Sequence, residues 1–191
     1  MKRRIAFIAA TLVSAVAFAA TQSPPAGALM QGRFDNGAQV AKGAADAAHA
    51  TPHVTVTIEP TAKPDWSFWH VHIQTDPEST FDQTWAMQAR TEHDGSHALI
   101  PYYQFKQESE PTAATFDPNG WLSLEACALR GKASATRMEG FSEGEPCVAV
   151  SMSVGARRAL LPVGFMREGD ALQLDMNLRS VRTRIDAVRS P

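Results

Sequence analysis

From residue 53 onward, apolar and polar side chains alternate with a period of two, the signature of half-buried strands. Val54, Val56 and Ile58 alternate with Thr55, Thr57 and Glu59, and Pro60 stops the run. Ser67, Trp69, Val71 and Ile73 then alternate with Trp66, Phe68, His70 and His72. Residues 84–91 form another extended stretch, and Asp94-Gly95 after it is a strong hairpin signal. Residues 98–106 return, with Pro101 pointing to an edge or a bulge. Beyond the turn cluster Asp117-Pro118-Asn119-Gly120, residues 121–129 are mixed in character. Short strands are predicted over residues 127–130, 136–142, 147–154 and 158–166, with bends at Gly155 and Gly164. After a turn at Glu168-Gly169-Asp170 comes the clearest alternation: Leu172, Leu174, Met176 and Leu178 against Gln173, Asp175, Asn177 and Arg179.

Before residue 53 the pattern differs. Residues 37–50 are alanine-rich, and Asp35 and Asn36 precede them as N-caps, which predicts one short N-terminal helix. Eight to ten short strands spaced by turns, each with one apolar side, imply a mainly β fold, either a sandwich or a barrel. Consecutive hairpins favour an antiparallel meander, and such a sheet removes its edges by closing. An up-and-down barrel of about 150 residues holds one small ligand or fills with side chains.

The N-terminus adds a destination. Lys2, Arg3 and Arg4 precede an uncharged run over residues 5–20, and Ala17-Phe18-Ala19 fits the small-x-small pattern of a cleavage site. The expected organisation is a signal peptide over residues 1–19, a spacer over 20–28 and one β-barrel domain over 29–191. The apolar run, about 16 residues, falls short of the roughly 20 of a spanning helix. No cysteine follows it to carry an acyl group. The expectation is a periplasmic or secreted protein without a membrane anchor after cleavage. Losing three basic residues and no acidic one takes the formal charge from −2 to −5. The remaining chain has no basic block, which argues against nucleic acid as a partner. Cys127 and Cys147 are the only cysteines, and an exported chain favours a disulfide between them. Neither belongs to a CxxC or has a histidine nearby, as a reactive thiol or a metal ligand would require.

Several short stretches together resemble the CpcT/CpeT family. Gly32-Arg33-Phe34-Asp35-Asn36-Gly37-Ala38-Gln39 is similar to the family's opening motif, Gly-x-aromatic-x-Asn-x-x-Gln before a helix. Trp85-Ala86-Met87-Gln88-Ala89 is similar to its aromatic-Val-Glu-Gln-Ala strand, with Met87 where the family has glutamate. Ala126-Cys127, Gly140-Phe141 and Cys147 follow in the family's order. Residues 100–105 read Ile-Pro-Tyr-Tyr-Gln-Phe where the family usually carries Arg-Gln-Arg. The resemblance spans residues 30–150. It implies a lipocalin-like antiparallel barrel and a chromophore lyase, which attaches a linear tetrapyrrole (bilin) to a phycobiliprotein cysteine. Bilin enters as a ligand only, and no cofactor is implied. Barrels of this family pair their sheets, which leaves room for a homodimer.

The residues that could carry chemistry are few. Trp85, Tyr103 and the neighbouring aromatic residues could line a cavity for a small hydrophobic molecule, or simply form core. Gln88 and Arg90 share one side of a strand, as a polar handle if that side faces the lumen and an ordinary surface if it faces water. His70 and His72 also share a face, a spacing that suits two metal ligands. A third ligand would have to come from His93 or His97, and the plainer expectation is no metal site. Asn36 and Gln39 are read as tying the helix to the barrel. No nucleophile elbow, phosphate loop or zinc motif is present.

Overall fold

The structure is a computed structural model, and it describes residues 30–43, 51–76, 78–104, 112–143, 147, 161–178 and 181–191. The strands are β1 (Gly32–Asp35), β2 (His53–Pro60), β3 (Trp66–Asp76), β4 (Ser79–Thr91), β5 (His97–Gln104), β6 (Trp121–Ser123), β7 (Leu129–Ala133), β8 (Arg137–Phe141), β9 (Pro162–Glu168), β10 (Ala171–Leu178) and β11 (Val181–Arg189). A short helix, α1 (Gly37–Gly43), joins β1 to β2. Every strand pairs antiparallel with its neighbours. The order β4-β3-β2-β1-β11-β10-β9-β8-β7-β5 returns to β4, so ten strands close a barrel, and the short β6 pairs with the end of β5 on the edge that also carries β7. The expected mainly β barrel with one short helix is the fold observed.

Closure follows from the alternation. Val54, Val56, Ile58, Trp69, Val71, Ile73, Trp85, Met87, Leu172, Leu174 and Met176 all meet in one interior cluster. Burying such side chains on a single face is worth about 1.5–3 kcal/mol each before entropy is counted. Phe34 on β1 and Ile185 and Ala187 on β11 extend the same cluster and seal the ring where the first and last strands pair. Sequence periodicity did not mark either strand. β1 has one buried residue in four. β11 surrounds its inward positions with Arg182, Arg184 and Arg189, which hides the period of two.

β3 is apolar on both faces at its start. Ser67 and Trp69 point inward, while Trp66 and Phe68 point outward and are covered by Tyr102, Phe116 and Trp121. The segment before β6 therefore folds back over the barrel's outer wall. Its aromatic rings pack edge to face, with Phe68 and Phe116 at 5.1 Å and Phe116 and Trp121 at 5.6 Å. Pro101 lies inside the closed sheet rather than at an edge. Its carbonyl accepts from the Leu124 N–H, between the end of pairing with β7 at Leu99 and the start of pairing with β6 at Tyr102. The donor that proline lacks therefore falls at a break in the ladder.

The strand predicted from Cys127 is corrected. Glu125–Cys127 is a 3₁₀ turn, and β7 begins only at Leu129. The turn is built by Cys127 N–H donating to Leu124 O and Ala128 N–H donating to Glu125 O. It carries Cys127 into the core, where the disulfide to Cys147 forms as predicted, with Cα atoms 4.5 Å apart. Gly95 turns β4 into β5 at φ +81°, a conformation that glycine adopts without strain.

Asn36 and Gln39 anchor α1. Asn36 is fully buried; its Oδ1 accepts from the Val54 N–H at 2.7 Å and its Nδ2 donates to Pro52 O and to Gln39 Oε1. Gln39 in turn donates to Arg184 O and accepts from the Asp186 N–H. One helix is thereby tied to β2 and to β11, on either side of β1. The signal segment, the spacer, residues 44–50 of the predicted helix, residues 105–106, the strand predicted after Cys147, Gly155 and residues 158–160 lie outside the described residues.

Candidate functional site: a cleft between β4 and β5

β4 is hydrogen-bonded to β3 from Ser79 to Gln88, yet it pairs with β5 only from Ala86 to Thr91. On its other edge, where β7 pairs as far as Leu99, β5 pairs with β6 from Tyr102, placing Tyr103 opposite Leu122 and Gln104 opposite Trp121. Among the described residues, the first half of β4 therefore has a strand on one side only. The barrel wall is parted there.

A cleft of about 280 Å³ occupies the parting, lined by Phe81, Gln83, Thr84, Tyr103, Gln104 and Trp121, with Asp82 at its rim. Phe81 and Tyr103 are half-buried and pack against the interior cluster. Trp85, four residues beyond Phe81 on the same inward face of β4, is fully buried with its ring 6.5 Å from Trp69. Two buried polar atoms of this region, Trp85 Nε1 and Gln104 Oε1, have no hydrogen-bond partner. An unpaired buried polar atom costs about 1–3 kcal/mol, so such pairs of orphans mark where a ligand's polar groups gain most.

The opposite end of the barrel is plugged. Arg167 is buried there with its guanidinium over the Phe34 ring at 4.9 Å, and Nη1 donates to Ala171 O. Burial and the neighbouring Arg189 both hold its pKa down. Together with Met30, these groups fill the space between Phe34 and β9.

The five predicted ligand residues divide between the two faces. Trp85 and Tyr103 are inside, beside the cleft. Gln88 faces outward, where its Oε1 accepts from the Tyr102 hydroxyl at 3.0 Å. Arg90 also faces outward and pairs with Glu125 at 2.7 Å and Glu92 at 2.8 Å, hydrogen bonds that push its pKa further up. His70 lies on the outer face of β3, its Nδ1 3.0 Å from Thr84 Oγ1. The side of β4 that the sequence left undecided thus faces away from the lumen.

Phe81, Gln83, Gln104 and Trp121 were missed. Phe81 and Gln83 fell outside a strand read as starting at Thr84. Extending that strand back to Ser79 puts them on the Trp85 face by parity alone. Gln104 and Trp121 carry no such signal, because their place depends on where β4–β5 pairing stops and on β6 joining the other edge of β5. No group of three or more His, Cys, Asp or Glu is arranged to hold a metal among the described residues. No family model, no curated protein and no solved structure matches this chain.

Proposed function

We propose that this chain is an exported, ligand-binding barrel of the CpcT/CpeT type that takes a planar amphipathic molecule, tetrapyrrole-like in its chemistry, into the cleft between β4 and β5. The observation that carries the reading is the parted wall with the unpartnered Gln104 Oε1 on its lining. Phe81, Tyr103 and Trp121 offer aromatic surface, while Gln104 Oε1 can accept from a ligand N–H. The Cys127–Cys147 disulfide suits an oxidising compartment outside the cytoplasm.

The reading is binding rather than bilin transfer. Met87, at the position of the family's glutamate, is fully buried in the interior cluster, so no acid stands there to meet pyrrole nitrogens. A second reading, a filled barrel with a purely structural role, draws on the packed core that runs from Met30 to Phe165. Titrating the chain from residue 20 onward with biliverdin separates the two. Binding predicts a saturable change in the visible absorbance of biliverdin, and a filled barrel predicts none.

A further inference from the structure

The outer face of β2, β3 and β4 carries a second groove, separate from the cleft although Asp82, Gln83 and Thr84 border both. It measures about 360 Å³. Register sets its floor. His70 stands between Thr57 and Thr84, and His72 stands between Thr55 and Asp82. The two imidazoles project from one face of one strand, with Cα atoms about 6.6 Å apart at a rise of 3.3 Å per residue.

Each ring is oriented through the same nitrogen. His72 Nδ1 lies 2.7 Å from Asp82 Oδ1, and His70 Nδ1 lies 3.0 Å from Thr84 Oγ1. A carboxylate on Nδ1 makes that nitrogen the donor and leaves Nε2 of His72 as a lone-pair atom, and a threonine hydroxyl that accepts does the same for His70. This is the outer-shell arrangement that orients histidines as metal ligands and raises their basicity. Charge agrees with it. Arg33 lines the groove, and the Asp82 carboxylate behind His72 offsets it, while Asp35 on the same outer face is paired with His53 at 2.8 Å.

We propose that His70 and His72 form a two-imidazole site for a divalent transition-metal ion on the barrel's outer wall, with water completing the coordination. Two neutral nitrogen ligands with a carboxylate behind one of them select borderline ions over hard ones. Cu²⁺ binds more tightly than Zn²⁺ by the Irving–Williams order, and Mg²⁺ and Ca²⁺ are not held. Asp82 and Thr84, which orient the two imidazoles, also border the cleft, so the metal is titrated with no cleft ligand added.

The test is calorimetric titration of the untagged chain with Cu²⁺ alone and Zn²⁺ alone at neutral pH, with the electron paramagnetic resonance spectrum of the Cu²⁺ form. The site predicts stoichiometric binding and two coordinating nitrogens in the spectrum. His70→Ala with His72→Ala abolishes both signals, and Asp82→Asn weakens Cu²⁺ binding by about tenfold through the lost orientation of His72. His93→Ala, in the turn after β4, and His97→Ala, at the start of β5, leave it unchanged. Since these side chains are on the surface, retained thermal unfolding shows that the variants fold, and His72→Gln repeats the test with a shape closer to histidine. Absence of binding up to millimolar Cu²⁺, or equal affinity in the wild type and the double variant, overturns the proposal.

Discussion

Asp175 and Arg184 face each other as register partners across β10 and β11, and Arg184 grips the carboxylate with both Nε at 2.9 Å and Nη2 at 3.3 Å. Arg182 adds a third hydrogen bond at 2.9 Å. The burial is one-sided: the Asp175 side chain is 7% exposed, whereas the arginines are 60% and 61% exposed. Asp175 therefore depends on its partners more than they depend on it. Asp175→Asn is expected to cost about 1–3 kcal/mol at neutral pH, measured as a lowered urea midpoint. An unchanged midpoint would show that water replaces the arginines there.

The same pair predicts how stability responds to acid. The hydrogen bonds from Arg184 hold the Asp175 carboxyl below its usual value of 3.8, against the opposing effect of burial. Burial also opposes ionisation at Asp35, but the Gly37 N–H, His53 and Thr55 outweigh it and leave that pKa lowered as well. A carboxylate with a depressed folded pKa contributes stability above its unfolded value and loses it as pH falls through the folded one. The urea midpoint should therefore stay level from these two groups above pH 3.8 and fall below it. The Asp175→Asn variant should show a shallower acid limb.

The disulfide closes a loop of 20 residues, and this loop length implies roughly 3 kcal/mol of stabilisation. Replacing both cysteines by serine should lower the unfolding free energy from guanidinium titration by that amount, roughly 3 kcal/mol. Because Cys127 and Cys147 are buried together, the double variant also leaves two hydroxyls to be satisfied. Thermal unfolding with and without reductant isolates the covalent contribution.

Gly131 and Gly140 are register partners on β7 and β8. A β carbon at 131 would run into the Glu139 carbonyl oxygen, and one at 140 would meet Leu129 O at 2.9 Å and the Phe165 ring at 2.8 Å. Backbone cannot step aside as a side chain can. Gly131→Ala is therefore expected to destabilise by about 1–3 kcal/mol or more. Gly43→Ala, with nothing within 4 Å, should be neutral or slightly stabilising. Differential scanning calorimetry of the two variants checks the contrast.

How far the sequence could be read depended on what each feature needs. β10 was plain, because Leu172, Leu174, Met176 and Leu178 state its inward face without help from any neighbour. The disulfide followed from two cysteines and the expectation of export. β11 was hidden, since Thr183 and Ala187 are adequate inward residues yet weak signals among arginines. The faces of Gln88, Arg90 and His70 could not be chosen locally, because both faces of β3 and β4 carry apolar residues. The cleft was least visible of all. It exists because β4–β5 pairing stops at Ala86 and Tyr102 while β4 runs on to Ser79 beside β3, and pairing between strands has no local pattern.

The central claim is that a ligand enters between β4 and β5, and tryptophan fluorescence titrated with biliverdin in matched variants tests it most directly. Quenching should be saturable in the wild type. It should need at least about tenfold more biliverdin in Tyr103→Ala, a loss on the scale of one buried aromatic contact. His70→Ala, Gln88→Ala and Arg90→Ala, all on the outer wall, should titrate like the wild type. Absence of saturable quenching, or loss of affinity in the outer-wall variants while Tyr103→Ala binds normally, would contradict the account.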